Sequence, residues 1–534
     1  RATSRARSSP PGQTPATIAT IDRRAPLLYI PRRAGRSAPC AVHRPSHRDA
    51  TLIIFLFGLY GFFLAVILSY NLLQLNLLFH YLGRKRVAPP PPLDEGQLPF
   101  VTVQLPLYNE AYVAERLLDN IARMRYPRDR FEVQVLDDST DQTTELCEQR
   151  AVYHREHGLD IQVLHRTDRT GYKAGALAEG LLQARGEFVA IFDADFLPDP
   201  NFLRATVPYF QDRQVGVVQT RWTHLNDDYS LFTNLQALQL NVHFTIEQAG
   251  RKAGRHFLQF NGTAGIWRRQ AIDEAGGWRS DTLTEDLDLS FRAQLRDWQI
   301  VYLEEVEAPA ELPVEMNGIK SQQFRWMKGG AENARRLVPV ILQSGLRPAS
   351  KLHAVAHLLN SSIFLAVFLL SLTSVALLPF IGSAGIDQRW LSVSLLGLVG
   401  VATVYFYANI HLLPRPLEAR RVLALIGYFP LLLTMSVGLS LHNSVAVLEG
   451  YLGIKSAFER TPKYNIVGSR RRDLDSGQRR KPISLGTIGE GLLALVFSAS
   501  LLLAVSLHQY LFFVFHLMLA AGFTAVFVAT LRDR

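Results

Sequence analysis

Residues 188–195 read Phe-Val-Ala-Ile-Phe-Asp-Ala-Asp, an uncharged run of mostly β-branched and aromatic residues that ends in two acids. A short apolar run closed by a polar cluster is typical of a strand buried in a parallel sheet. The runs 100–105 and 133–136 have the same character. Helical patterns at 111–125 and 141–156 alternate with these runs, which predicts an α/β domain with a mostly parallel sheet covered by helices.

Polar clusters follow the predicted strands, at Asn109-Glu110, Asp137-Asp138 and Asp193-Ala194-Asp195. In open α/β sheets the ligand crevice lies beyond the carboxyl ends of the strands. Two carboxylates separated by one residue can hold a hard divalent cation that also ligates phosphate oxygens. A pair of solvated loop acids is the alternative, but the buried-type strand before this pair and Pro198 after it favour a metal site.

Long apolar runs flank the region 84–345, which carries charges throughout. A chain of 534 residues exceeds what one compact core can hold. Each run is near or above the roughly 20 residues that a membrane-crossing helix needs. The runs are 52–79, 354–381, 391–413, 422–447, 491–506 and 509–530.

The net charge of +10 does not indicate a nucleic-acid partner, because the basic residues cluster in the first fifty positions and in 455–481, beside the apolar runs. Anionic lipid headgroups explain that placement. The chain has two cysteines, Cys40 and Cys147, so a disulfide framework is not expected and a reducing cytosolic setting fits the domain.

Charge bias then predicts a topology with the α/β domain in the cytosol. If 422–447 crossed the bilayer, the most basic loop would face outside, so an interfacial or re-entrant helix is expected there. The predicted divisions are a disordered basic tail (1–50), a transmembrane helix (51–83), the α/β domain (84–345), two transmembrane helices (346–413), the interfacial or re-entrant helix (414–450), a cytosolic loop (451–484) and two transmembrane helices (485–534).

Thr284-Glu285-Asp286 opens a further helical pattern. Acidic side chains at this position interact favourably with the positive end of a helix dipole, and Thr284 is a suitable N-cap residue. The functional alternative makes Asp286 a general base that removes a proton from an acceptor hydroxyl. The motif alone does not separate the two, but its place between the acid pair and Gln322-x-x-Arg325-Trp326 favours the base.

Arg325 and Trp326 form the most specific pair in the chain. A guanidinium can grip diphosphate oxygens through its fork, and an indole stacks on the apolar face of a pyranose. The alternative for Trp326 is an aromatic anchor at the membrane edge. Lys173, in Gly171-Tyr172-Lys173-Ala174, is either a contact to the phosphate or base of a nucleotide or an exposed lysine before a helix.

With these motifs in this order, the chain resembles the processive family 2 glycosyltransferases of the cellulose synthase superfamily over roughly residues 95–485. The cellulose synthase-like A and C branch is closest in pattern, through strings at 135–141, 260–265 and 322–326. Met327-Lys328-Gly329-Gly330 is similar to bacterial members instead. The resemblance implies a Rossmann-like GT-A fold, beside an α-helical transmembrane region, and inversion at the anomeric carbon in one displacement.

The resemblance also implies roles for individual residues. Phe458–Lys463 looks like the family's Phe-x-Val-Thr-x-Lys gating loop, with Arg460 in place of the valine. The expected roles are donor binding by Tyr108, Glu110, Asp138, Lys173, Asp193 and Arg325; Mg²⁺ or Mn²⁺ binding by Asp193 and Asp195; catalysis by Asp286 with Glu285 and Thr284; acceptor binding by Trp326 and Gln322; and gating by Phe458, Thr461 and Lys463.

The predicted function is a membrane-integrated β-glycosyltransferase that polymerises sugar from UDP-glucose or GDP-mannose into a β-1,4-linked glucan, mannan or glucomannan and passes the product through the membrane. Its expected partners are the nucleotide sugar, the growing polysaccharide, the lipid bilayer and accessory export subunits. The expected location is a bacterial cytoplasmic membrane. The alternatives are a non-processive transferase that forms a glycolipid and an inactive membrane scaffold with the same fold.

Overall fold

The computed structural model describes residues 47–85, 88–381, 393–468 and 482–533. Most of the predicted basic tail, the linker at 382–392 and the basic stretch 469–481 lie outside the described residues. The first helix begins at His47, inside the range predicted for the tail.

The described strands are β1 (Val101–Leu107), β2 (Phe131–Asp137), β3 (Ile161–His165), β4 (Phe188–Ile191), β5 (Val215–His224), β6 (Gly265–Arg268) and β7 (Gln299–Ala310). The helices are α1 (His47–Leu82), α2 (Ala114–Ile121), α3 (Thr143–Glu156), α4 (Tyr172–Gln183), α5 (Phe202–Thr206), α6 (Leu231–Val242), α7 (Ala249–Gly254), α8 (Arg269–Glu274), α9 (Glu285–Gln294), α10 (Met316–Gln343), α11 (Pro348–Leu358), α12 (Ser362–Leu377), α13 (Val393–His411), α14 (Ala419–Gly438), α15 (Ser440–Leu452), α16 (Leu485–Ser506) and α17 (Tyr510–Arg532). A π-helix (His243–Gln248) joins α6 to α7, and 3₁₀ turns cover Glu95–Gln97, Arg128–Arg130, Val207–Gln211 and Leu378–Phe380.

In the described residues the strands form one sheet in the order β3-β2-β1-β4-β6-β5-β7. Only β6 runs antiparallel to its neighbours, β4 and β5. The mostly parallel sheet predicted from the sequence is therefore confirmed. Its strands are buried along their whole apolar runs, as in β2 and β4. Because β1 pairs in register with β2 up to Leu107 opposite Asp137, the polar clusters after these strands meet at one edge.

The long helix α10 connects the α/β domain to the helices of the second half. It packs against α9 on the domain side and against α11, α15 and α17 on the other. Buried ion pairs fix it there, with Lys320 Nζ 2.8 Å from Glu490 on α16 and Lys328 Nζ 3.0 Å from Glu449 on α15. The helix that carries Arg325 and Trp326 is therefore held between the two regions.

Among the described residues, five helices are long and apolar enough to cross a membrane: Ala50–Leu82, Ser362–Phe380, Ala419–Gly438, Leu485–Ser506 and Phe512–Arg532. A shorter apolar helix covers Leu396–His411. The predicted run 354–381 is interrupted, since α11 ends before α12 begins at Ser362. The helix expected at the interface, α14, itself meets the length and hydropathy of a span. Its placement relative to a bilayer stays a prediction.

Glycines allow α14 and α17 to approach closely. A methyl group at Gly522 would overlap the Thr434 carbonyl oxygen, and one at Gly438 would overlap the Gly522 backbone. Such small-residue contacts are typical of helices that pack in membranes, where backbones come close.

We therefore expect Gly522→Ala to destabilise the protein by about 1–3 kcal/mol, the usual result of overpacking a close contact. The melting temperature in detergent, followed by size-exclusion chromatography of heated samples, measures the effect. Gly427→Ala is the matched control, because Gly427 lies on α14 with nothing within 4 Å of the added methyl group. Equal melting temperatures for the two variants would contradict the close helix contact.

Candidate active site

A cavity of about 660 Å³ lies at the carboxyl ends of the strands and extends toward the apolar helices. The sequence-predicted site residues from 108 to 463 all line it, so the folded chain brings four distant motifs and the gating-type loop to one place. They are Tyr108, Glu110, Asp138, Lys173, Asp193, Asp195, Thr284, Glu285, Asp286, Gln322, Arg325, Trp326, Phe458, Thr461 and Lys463. Their individual roles stay predictions.

One end of the cavity has the character of a nucleoside pocket. Asp138 is buried and accepts hydrogen bonds from Arg166, at 2.7 Å from Nε and 2.6 Å from Nη2. The Arg169 guanidinium lies over the Tyr108 ring, 3.3 Å from its centroid. A carboxylate edge beside a flat cationic and aromatic surface suits the polar edge and the face of a nucleobase. The sequence prediction missed both arginines, although they immediately precede the Gly171-Tyr172-Lys173 turn that it singled out.

The acid pair after β4 binds cationic side chains in this structure. Lys173 Nζ donates to Asp193 Oδ1 at 2.5 Å and to the Gly262 carbonyl at 2.9 Å. Lys463 Nζ donates to Asp195 Oδ2 at 2.6 Å. Both carboxylates line the cavity, and each already binds a positively charged group. Two carboxylates at one place that attract positive charge also fit a divalent cation. Lys173, predicted as a donor contact, also holds one of these acids.

The candidate base lies at the start of α9. Asp286 Oδ1 accepts from the backbone N–H of Leu287 at 2.9 Å, and its other oxygen faces Gly262, where a Cβ atom would lie 3.1 Å away. Burial and the neighbouring Glu285 carboxylate raise the pKa of Asp286 to about 7. A carboxyl group with such a pKa can accept a proton near neutral pH. Sequence reasoning placed Thr284 as a cap; it occupies the N-cap position without a side-chain capping bond, because its hydroxyl meets Asn333 instead.

The pKa of Asp286 predicts the pH dependence of catalysis. A carboxyl group accepts a proton only when it is deprotonated, so with Asp286 as the predicted base kcat/KM should rise as the pH rises through about 7. In Glu285→Gln the neighbouring negative charge is gone, the pKa of Asp286 falls, and the acidic limb of the profile should move down by about one pH unit. Initial rates between pH 5 and 9 measure the shift. An unchanged limb in Glu285→Gln would contradict the coupling of these two carboxylates.

The gating-type loop lies across the cavity. Arg325 Nη2 donates to Thr461 Oγ1 at 3.0 Å, and its guanidinium lies 4.8 Å from the centroid of the Phe458 ring. Arg460, which replaces the family's valine, forms an ion pair with Glu110 at 2.8 Å. Although Arg460 favours the charged form, burial raises the pKa of Glu110 to about 7. The loop therefore contacts the same side chains that are predicted to bind the donor.

A polar network extends the cavity toward the apolar helices. Glu247, in the π-helix, accepts from Gln74 on α1 at 2.7 Å and lies 2.9 Å from His243 Nδ1. His243 Nε2 lies 3.1 Å from Asn261, next to the glycine that faces Asp286. Tyr70 on α1 donates to Asn360 at 2.5 Å. The sequence prediction missed this network; its signal was Glu247 within a mostly uncharged helical stretch.

Residues 99–329 match the family described as "Glycosyltransferase like family 2". The chain is 41% identical over 257 residues to glucomannan 4-beta-mannosyltransferase 2 of Arabidopsis thaliana, covering 47% of this chain and 48% of that protein. It is 41% identical over 259 residues to glucomannan 4-beta-mannosyltransferase 1 of Oryza sativa subsp. japonica, covering 48% and 50%. The chain thus spans about half the length of the curated relatives it matches.

A solved structure with the same fold is the mannosyltransferase PcManGT from Pyrobaculum calidifontis in complex with GDP-Man and Mn²⁺. It has a TM-score of 0.50 and 22% sequence identity, and the alignment covers 75% of this chain and 100% of that one. The predicted fold class, a GT-A domain beside helices able to span a membrane, is confirmed.

Proposed function

We propose that this chain, whose residues 99–329 form a family 2 glycosyltransferase domain, transfers mannose from GDP-mannose to the non-reducing end of a β-1,4-linked polysaccharide. The observation that carries the proposal is the convergence of Asp286, the Asp193–Asp195 pair and Arg325–Trp326 on one cavity. The names of the relatives, glucomannan 4-beta-mannosyltransferases, support mannose as the transferred sugar and a β-1,4 linkage.

In the proposed reaction, Asp286 accepts the proton of the acceptor hydroxyl while that oxygen forms a bond to the anomeric carbon of the donor. The bond from the anomeric carbon to the diphosphate oxygen breaks on the opposite face, so the configuration inverts and the nucleoside diphosphate leaves with the electron pair. Trp326 stacks on the acceptor ring, and Gln322 beside it binds the same sugar. Arg325 and Lys173 bring positive charge to the leaving diphosphate.

Asp193 and Asp195 would hold a Mg²⁺ or Mn²⁺ ion, which neutralises diphosphate charge when it is bound. Both acids line the cavity, and each accepts a hydrogen bond from a lysine there. Carboxylate oxygens of this kind suit hard cations. PcManGT, which shares the fold, is in complex with Mn²⁺.

Chelation should therefore abolish transfer. We expect EDTA to reduce incorporation to background and added Mn²⁺ to restore it, because the diphosphate would otherwise leave with uncompensated charge. Radiolabel incorporation before chelation, after chelation and after Mn²⁺ addition measures both steps. Full activity in EDTA would exclude a metal at the acid pair, and Asp195→Asn, which removes one ligand, should weaken the restoration by Mn²⁺.

The polar network around Glu247, Gln74, Tyr70 and Asn360 supports a polymer product over a glycolipid. These side chains line the cavity along α1, in a region otherwise built from apolar helices. Together they donate and accept hydrogen bonds, as the hydroxyl groups of a sugar do. We propose that the growing chain passes along this wall and that the protein is embedded in a membrane with its catalytic domain on the nucleotide-sugar side. The matched relatives are plant proteins, so they add no support for a bacterial membrane.

The test is incorporation of radiolabelled sugar by the purified protein in lipid vesicles with Mn²⁺, comparing GDP-mannose with UDP-glucose. We expect a polymer from GDP-mannose that an endo-β-1,4-mannanase digests. Polymer from UDP-glucose alone, digested by a β-1,4-glucanase, would replace the donor assignment. Label found only in the lipid extract would favour the glycolipid alternative, and the absence of transfer from either donor would reject the proposed activity.

A further inference from the structure

The stretch Lys328–Asn333 follows Trp326 on α10, and the roles proposed above leave it unexplained. It faces the loop that enters α9. A methyl group at Gly329 would overlap the Thr284 side chain, so the absence of a Cβ atom lets that side chain pack directly against α10. Gly329 thus marks a contact between the helix of Arg325 and Trp326 and the loop that precedes Asp286, whereas Gly330 faces Ser361.

Two side chains of α10 bind the same loop by hydrogen bonds. Asn333 Nδ2 donates to Thr284 Oγ1 at 2.9 Å and to the Thr284 carbonyl at 3.1 Å. Glu332 Oε2 accepts from the Leu283 N–H at 2.8 Å. Asn333 is fully buried, and a buried amide that loses its partners is costly, so these bonds persist in the folded state.

The loop in turn sets where the Asp286 carboxylate lies. That carboxylate accepts a hydrogen bond from the N–H of Leu287 in its own helix. Its position therefore depends on the backbone at 283–287, which the contacts from Glu332 and Asn333 hold.

The helix α10 is itself a fixed reference. Lys328, one residue before Gly329, is fully buried and donates to Ser456 Oγ at 2.6 Å as well as pairing with Glu449. Arg325 and Trp326 lie within the preceding turn of the same helix. A change at Asn333 would thus alter the distance between the base and the acceptor platform while α10 stays in place.

We propose that Asn333 is a positioning residue that acts through Thr284 to hold Asp286 at its working distance from the acceptor on Trp326. The inference rests on the proposed function for the role of Asp286. The contacts themselves stand without it, which allows the two to be tested apart. A displacement of about 1 Å between reacting groups can reduce the rate by about 100-fold.

The experiment compares Asn333→Ala with Asn409→Ala in the full-length protein in vesicles. Asn409, on the apolar helix α13 and away from the loop, is a matched control because it is also buried. Its Nδ2 donates to two carbonyl oxygens, that of Leu238 on α6 at 3.2 Å and that of Tyr405 on α13 at 3.0 Å. For Asn333→Ala we expect kcat for mannosyl transfer to fall about 100-fold with the KM for GDP-mannose within about twofold of wild type. For Asn409→Ala we expect lower thermal stability and a kcat close to wild type.

A second readout does not depend on activity. Hydrogen–deuterium exchange should increase in peptides covering 282–288 for Asn333→Ala and not for Asn409→Ala. In the double variant Thr284→Val with Asn333→Ala, the fold-loss of kcat should be smaller than the product of the fold-losses in the two single variants, because both substitutions remove the same contact.

Unchanged kcat and unchanged exchange at 282–288 in Asn333→Ala would overturn the inference, as would equal loss of kcat in both variants. If the wild type transfers no sugar, the proposed function fails, while exchange at 282–288 still decides whether Asn333 holds the loop. Increased exchange with a changed donor KM and unchanged kcat would also overturn it, since the loop would then serve donor binding.

Discussion

We expect Asp286→Asn to reduce the rate of the proposed mannosyl transfer by roughly 100- to 10,000-fold and to leave the affinity for GDP-mannose close to wild type. The amide has nearly the same shape but cannot take up the acceptor proton, so the loss falls on the chemical step. Single-turnover rates in vesicles measure transfer, and titration with GDP measures binding at the donor site. This is the largest single effect expected, because Asp286 is the proposed base for the acceptor hydroxyl.

Asp281→Asn is the control for this variant. It removes a carboxylate five residues earlier in the same loop, where the Asp281 side chain is 59% exposed and pairs with Arg336 at 2.7 Å. An exposed ion pair contributes little to stability, so its activity should remain near wild type. If Asp286→Asn were as active as this control, Asp286 would not be the base. Weaker GDP binding as the main defect would move Asp286 to the donor pocket.

We expect Arg325→Ala to lower kcat by roughly 100- to 1,000-fold, the usual result of removing one preorganised donor from a developing negative charge. The half-buried side chain lines the cavity, where desolvation lowers the pKa of its guanidinium while the surrounding carboxylates favour the charged form. It also donates to Thr461, so the variant should hold the gating-type loop less firmly. Initial rates with saturating GDP-mannose measure the first effect, and limited proteolysis in 453–468 measures the second.

Arg336→Ala removes an arginine from the same helix and tests whether the loss of any positive charge on α10 lowers kcat. Its ion pair with Asp281 is partly exposed and outside the cavity, so its rate should be near wild type. Comparable losses in the two variants would mean that Arg325 acts through the net charge of the helix. A loss in Arg325→Ala confined to the KM for the acceptor would contradict a role at the diphosphate.

The sheet followed from the sequence because it rests on local patterns, whereas most site residues were assigned from the family resemblance and their roles stay predictions. Apolar runs that end in acids identify buried parallel strands, and parallel strands bring their carboxyl ends to one edge. Asp138, Asp193 and Asp195 therefore meet in the fold although 57 positions separate the first from the last.

Contacts that depend on tertiary packing were not predictable in this way. The bidentate contact of Arg166 with Asp138 joins two loops, and only the fold shows that they adjoin. Asn333 appears in the sequence as one polar residue in a mixed helix, and its role comes from the close approach at Gly329. The break between α11 and α12 lies within a run whose composition suggested one continuous helix.

The lysine contacts of the acid pair have a consequence for the charge of the site between turnovers. Lys173 and Lys463 are the counterions of Asp193 and Asp195 in this structure. A divalent cation held by this pair would take the place of the ammonium groups, so Lys463 and the loop that carries it would have to move away from Asp195. Binding of such a cation and movement of the loop would then be linked.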